Sequence, residues 1–280
     1  MVGERFKDKV ALITGSTSGI GQAVAILFAS EGAKIVIHGK PEDGLGATRK
    51  LCLDAGAAPW DIMEILGDVT DKTFVDQLVD ETISRFGKLN ILVNNVGALV
   101  LDPTGAQGWD MSVDVMDKSM NLNFRHVLLV TQKAIKHLVE QKGDIVNVST
   151  FLTTPTLGIM SMPYYGVAKS ALDQMSRSMA HEYMLKGVRV NTVNPGLVAT
   201  SFFARLGPGA EKARKMEAYI ASNPDFIPLG KVSTPVDVAK TIAFLADRNQ
   251  SELIVGQSIY MDGGSRLCCP IDMSDFKQHM

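Results

Sequence analysis

A doubly wound α/β fold built on a parallel sheet is what this sequence predicts, and three observations predict it. Short apolar runs alternate with longer amphipathic stretches, the runs are rich in Val and Ile, and the first run leads directly into a glycine-rich turn. Strands apolar on both faces belong in a sheet covered by helices on both sides, and βαβ connections make such a sheet parallel. The first strand is "VALIT", with a helix over 19–31. "KIVIH" and a helix over 42–56 follow, then "IMEIL" and a helix over 71–87, then "NILVN". The rhythm resumes with a long helix over 112 to about 140, "DIVNVS", a helix opening near Pro163, "VRVNTVN", a helix after Pro235, and "QSIYM", for seven strands in all. With no linker, composition break or repeat beyond this rhythm, residues 1–280 are expected to form a single domain. An insertion at about 201–232 and a tail over 265–280 fall outside the rhythm, as do 96–111 and 151–162. Long irregular stretches after strands that end at one sheet edge point to ligand binding there.

Composition narrows the function classes. Of 280 residues 46% are hydrophobic, enough for a full core. The 28 basic and 30 acidic residues leave a net charge of -2, so no global field favours nucleic acid or a membrane surface. Cys52, Cys268 and Cys269 are an odd set with two neighbours, which suggests no disulfide framework and a reducing compartment. The start lacks a signal-like apolar core and no run reaches membrane-spanning length, so a cytoplasmic protein is expected. The histidines, His38 and His126 among them, lack metal-ligand spacing, and no metal site is expected.

The turn "TGSTSGIG" at 14–21 sits between the first strand and the first helix. Gly15 suits a sharp turn, Gly19 lets the backbone approach a pyrophosphate, and Gly21 permits close packing, while the helix N-terminus offers unpaired N–H groups. An anion site of this kind needs no charged side chain. The turn residues Gly15, Ser16, Thr17, Ser18, Gly19, Ile20 and Gly21 are therefore candidate cofactor contacts.

The turn resembles the TGxxxGxG nucleotide turn of the short-chain dehydrogenase/reductase family, and later landmarks extend the resemblance from Lys9 to Gly264. "GDVTD" carries Asp68 and Val69, and the resemblance places the Asp68 side chain and the Val69 backbone against the adenine ring. "NNVG" is similar to the family's NNAG and contributes Asn94, Asn95 and Gly97. "NPGLVAT" resembles the segment that meets the nicotinamide carboxamide, with Pro195, Gly196, Val198 and Thr200, and "MDGG" matches the close of the last strand. The resemblance implies a Rossmann fold, a nicotinamide dinucleotide cofactor, a ketone or secondary-alcohol substrate, and a homodimer or homotetramer. The identity of that substrate, whether 3-oxoacyl, steroid-like or polyol, stays open at this stage. Phe202, Phe203, Leu206, Met160 and Met162 hint at an apolar pocket.

Cofactor choice in a dinucleotide fold is made where the second strand ends, because a carboxylate there repels the additional phosphate of NADP. That position carries Gly39 and Lys40 and no carboxylate until Glu42. The local charge favours NADP. Ser18 stands where NADP users of the family often have a basic residue, so NAD stays a second option.

"PYYGVAKS" at 163–170 offers two tyrosines. A helix brings residues four apart onto one face, so Lys169 neighbours Tyr165, whereas Tyr164 is paired with Ala168. Hydride transfer to a ketone creates an alkoxide that needs a proton, and a cation beside the phenol lowers its ordinary pKa of about 10 toward working pH. Tyr165 and Lys169 are the expected acid/base pair, and both are also expected to contact the cofactor. The resemblance adds Asn123 as the residue that orders a relay water and Thr150, in place of the usual serine, as the hydroxyl that orients the carbonyl; Thr153, Thr154, Thr156 and Ser161 are rival donors. A sensor or scaffold that binds a dinucleotide with little turnover is the alternative, and it would not need the Asn123, Tyr165 and Lys169 constellation.

Overall fold

The computed structural model describes residues 4–154, 162–200 and 209–267. Seven strands form one parallel sheet: β1 (Val10–Ile13), β2 (Lys34–Gly39), β3 (Ile62–Leu66), β4 (Ile91–Asn94), β5 (Asp144–Val148), β6 (Arg189–Pro195) and β7 (Ser258–Met261). Their order is β3-β2-β1-β4-β5-β6-β7. The order reverses direction between β1 and β4, and this switch point opens a crevice beyond the strand C-termini.

Alternation along each strand divides the core into two layers. Ala11, Ile13, Ile35, Ile37, Ile91, Val93 and Val146 face α1 (Gly19–Ser30) and α8 (Pro235–Ala246). Val10, Leu12, Val36, Leu92, Ile145 and Val190 face α3 (Lys72–Phe86) and α5 (His126–Gln141). Each fully buried Leu, Ile or Val contributes about 1.5–3 kcal/mol relative to exposure, so both faces must be covered and the sheet is confined to the middle layer.

Local signals set the helix ends. Asp71 accepts from the Thr73 N–H at the start of α3, and Gly87 ends it at φ 75°, which glycine adopts without a Cβ clash. Thr234 and Asp237 form a reciprocal capping box at α8, with Pro235 in the first turn. Pro163 likewise opens α6 (Pro163–Tyr183), as its missing N–H permits.

Three expectations are revised. The helix over 42–56 begins later, as α2 (Gly46–Asp54), after a turn at Gly44 with φ 66°. The expected continuous helix from 112 is α4 (Val113–Met120), a π-turn over Asn121–Arg125, and then α5. The insertion after β6 contains a regular helix, α7 (Gly209–Ser222). No helix among the described residues is long and apolar enough to cross a membrane.

Candidate active site

At the switch point the turn after β1 meets the segment after β4. Gly15 and Gly19 take φ of 69° and 58°, a region costly for other residues. A Cβ at Gly21 would lie 2.1 Å from the Gly15 carbonyl, so the helix can pack this close only with glycine there. The first N–H groups of α1 have no intrahelical acceptors and Ser18 provides no side-chain cap, which leaves a cradle suited to a phosphate. That cradle fits the pyrophosphate of a dinucleotide.

Several residues expected at the cofactor have side chains that brace this cradle. Asn95 donates through Nδ2 to the Thr14 and Gly15 carbonyls at 3.0 Å each. The buried Ser16 hydroxyl donates to the Ile13 carbonyl at 2.6 Å, and the Thr48 hydroxyl holds the Ser16 carbonyl at 2.7 Å. Asn94 is buried and donates to Asn147 Oδ1 and Thr131 Oγ1, so its side chain belongs to the interior. A strand-end asparagine looks the same in sequence whether its amide faces inward or outward; the register of β4 against β5 turns this one inward. Val69 is also buried, in the core layer beside α3. Ile20 packs partly against the other layer, and Val198 is buried in a bridge to Ser233. Thr17 stands over Gly39, where a Cβ would come within 2.2 Å of its methyl group, and Thr200 lies over Gly19. A Cβ at Gly196 would lie 2.8 Å from Asp262 Cα, so the turn after Pro195 packs tightly on the end of β7.

Beside the glycine turn Lys40 Nζ pairs with Asp68 Oδ2 at 3.0 Å. Burial opposes the Asp68 charge, but the Thr70 N–H and hydroxyl and the Lys40 ammonium outweigh it and hold the carboxyl at about 2. The two residues expected at the adenosine end are therefore one mutually neutralising unit.

Asn123 and Lys169 come together at Gly97. A Cβ at Gly97 would lie 2.9 Å from Lys169 Nζ and 3.0 Å from Asn123 Oδ1, so glycine keeps this meeting point clear. Lys169 is buried and donates to the Val148 carbonyl at 2.8 Å, fastening α6 to the end of β5. Desolvation lowers the Lys169 ammonium to about 8, and the Asp173 carboxylate partly opposes it. Asn123 lies in the π-turn, wholly buried, with Oδ1 accepting from Ala98 N–H at 3.0 Å and Nδ2 donating to the Ala98 and Ser119 carbonyls. Its side chain holds the loop after β4 against the π-turn.

Tyr165 stands one turn before Lys169 on α6 and is half-buried. Desolvation raises its phenol well above the ordinary tyrosine range, the reverse of the lowering expected from a neighbouring ammonium. Lys169 directs Nζ at the Val148 carbonyl, and the dense protein around the phenol dominates. Thr150 is extended and buried, and its oxygen accepts weakly from Leu152 N–H at 3.4 Å, which leaves the hydroxyl proton available to a ligand. Ser149 turns the other way, toward the Lys169 carbonyl at 3.5 Å. Among the rivals, Thr153 is engaged with Tyr260 and with the Thr150 carbonyl, and Thr154 donates to the Phe151 carbonyl. Thr156, Met160, Ser161, Phe202, Phe203 and Leu206 lie outside the described residues, as do Cys268 and Cys269.

One residue at the site was read only as the rejected partner of Tyr165. Tyr164 donates its hydroxyl to the Met111 carbonyl at 2.9 Å and meets Trp109 edge-on at 5.8 Å, which pins the loop before α4 to the tyrosine helix. Its adjacency to Tyr165 was the available signal, since successive helix residues face different partners. Among the described residues no group of His, Cys, Asp and Glu is arranged to hold a metal ion.

A parallel sheet in this order, with a glycine cradle at its switch point, defines the dinucleotide-binding α/β class. A family model described as enoyl-(acyl carrier protein) reductase matches residues 15–266. The chain belongs to the short-chain dehydrogenase/reductase family of oxidoreductases. It is 34% identical over 265 residues to cis-4-hydroxycyclohexanecarboxylate dehydrogenase of Sinomonas cyclohexanicum, covering 94% of this chain and 98% of that one. Among solved structures, a short-chain dehydrogenase/reductase of unknown function from Caenorhabditis elegans, determined with cofactor, matches with a TM-score of 0.92 and 41% identity over 95% of this chain and 97% of that one. The apo form of glucose dehydrogenase from the same organism matches with a TM-score of 0.76 and 40% identity over 94% of this chain and 99% of that one.

Proposed function

We propose that the chain is an NAD(P)-dependent oxidoreductase that interconverts a ketone and a secondary alcohol, with NADP preferred. The observation that carries this reading is the meeting of Asn123 and Lys169 at Gly97, one helical turn from Tyr165 and beside the glycine cradle. A nicotinamide dinucleotide, when bound, supplies or accepts the hydride. Gly15 to Gly21 hold its pyrophosphate, and the Lys40–Asp68 pair faces its adenosine end. Lys40, whose ammonium stands beside Asp68 at this end, is the cation that would meet an added phosphate, which supports NADP.

In the reduction direction Tyr165 gives its proton to the oxygen of the new alkoxide. The phenol carries its proton at neutral pH, the state in which a general acid begins the step. Lys169 supplies positive charge beneath the site, Thr150 donates its hydroxyl to the substrate carbonyl, and Asn123 fixes the loop that bears Gly97. The names of two relatives, a hydroxycyclohexanecarboxylate dehydrogenase and a glucose dehydrogenase, support a hydroxyl-bearing carbon as the reacting centre.

The test is steady-state oxidation of NADPH and NADH with a series of ketones varied in ring size and chain length. Tyr165→Phe should lower kcat about 100-fold or more while nucleotide affinity stays unchanged. Equal turnover by the Phe variant, or nucleotide binding without turnover across the whole series, would overturn the reading.

A further inference from the structure

The imidazole of His38 lies at the end of β2, 2% exposed, between the glycine turn and the start of the Asp68 loop. Its Nδ1 accepts the Gly15 N–H at 3.2 Å, and its Nε2 lies 3.1 Å from the Gly67 carbonyl oxygen. A backbone N–H only donates and a carbonyl only accepts. The pair of contacts therefore requires one neutral tautomer, with the proton on Nε2. The main chain adds to the clamp: Ser16 N–H donates to the His38 carbonyl at 2.7 Å, and His38 N–H reaches the Ser16 hydroxyl at 3.4 Å. The Phe74 ring lies 5.5 Å from the imidazole and packs closely over Gly67, where a Cβ would fall within 2.1 Å of it.

We propose that His38 is a positioning residue for the dinucleotide, its neutral imidazole bridging Gly15 and Gly67 so that the pyrophosphate turn and the Asp68 loop are held at a set separation before the cofactor arrives. The inference rests on the dinucleotide reading above. A turn held in its binding conformation loses less conformational freedom when a ligand is captured, so the bridge acts on cofactor affinity and not on the chemical step. Burial lowers the imidazole to about 4, which keeps the bridging form present at neutral pH; the Asp68 carboxylate is the nearest opposing charge, and Lys40 pairs with it.

Two amides separate the two bonds. The Asn oxygen is as many bonds from Cα as Nδ1 and can accept from Gly15, whereas the Gln amide nitrogen matches Nε2 and can donate only to Gly67. NADPH and NADH are titrated by fluorescence into the full chain and into His38→Asn, His38→Gln and His38→Leu, with kcat measured at saturating cofactor. Leu, which breaks both bonds, should raise Kd about tenfold with kcat within about twofold, while Asn and Gln, each of which keeps one bond and breaks the bridge, should raise it by about threefold. Nitrogen-15 spectra of the parent should show His38 protonated at Nε2 and bare at Nδ1. Parent-like affinity in Gln and Leu, a fall in affinity that tracks Tm alone across all three variants, or the Nδ1-protonated tautomer would overturn the role. Absence of nucleotide binding by the parent itself would overturn the dinucleotide reading and this role together.

Discussion

At the scale of single residues, chemistry and bracing lie side by side, and hydrogen bonds tell them apart. Thr150 retains a donor proton, whereas Asn94, Asn95, Ser16 and Asn123 have given their polar groups to the fold. For Thr150 the expectation is graded. Thr150→Ser, which keeps the hydroxyl, should leave kcat/KM within about threefold, and Thr150→Val should lower it about tenfold or more, as loss of one directed hydrogen bond would. Equal kinetics for both variants would shift the carbonyl-orienting role to another hydroxyl. Tyr165 and Lys169 were readable from four-residue spacing, but the direction of the Tyr165 shift was not. Helical spacing reports which side chains share a face; the protein mass around a phenol comes from loops and strands remote in sequence.

At the scale of elements, three pieces converge on α6: the end of β5 through Lys169, the Ala98 loop through Gly97, and the Trp109 loop through Tyr164. Tyr164→Phe removes the bond to the Met111 carbonyl and should cost about 1 kcal/mol. Hydrogen exchange over 98–112 should quicken, and KM for the ketone should rise more than kcat falls. Unchanged exchange in that segment would show that packing against Trp109 suffices. The π-turn at Asn121–Arg125 was hidden in the sequence because one added residue in a helical turn leaves the apolar periodicity almost intact. It shifts the helix register so that Asn123 is buried against Ala98 while α5 continues toward the sheet.

At the scale of the whole molecule, acid should loosen the fold before its carboxylates titrate. In the unfolded chain His38 and His126 take up protons below about 6.5, but burial delays this to about 4 and about 3 in the folded chain. Across that interval the unfolded state binds more protons, so stability rises with pH and is lost as pH falls from 6.5 toward 4. His38 by itself accounts for a loss on the order of 3 kcal/mol. Urea unfolding between pH 4.5 and 7.5 should therefore show a slope that His38→Asn reduces by up to one proton. An identical slope in that variant would mean that the histidine is charged in the folded state.

The sequence by itself determined the parallel sheet, the glycine cradle and the placement of Tyr165 and Lys169 one turn apart on α6. Each is local: strand apolarity, backbone freedom at glycine and helical spacing act within a few residues. Only the tertiary structure decided that Asn94 and Asn123 face inward, that Lys40 neutralises Asp68, and that Tyr164 and His38 serve the site as struts. Those outcomes depend on which polar group lies within hydrogen-bonding reach once distant segments pack together, and contact across 23 or 53 residues of chain leaves no pattern in a single sequence.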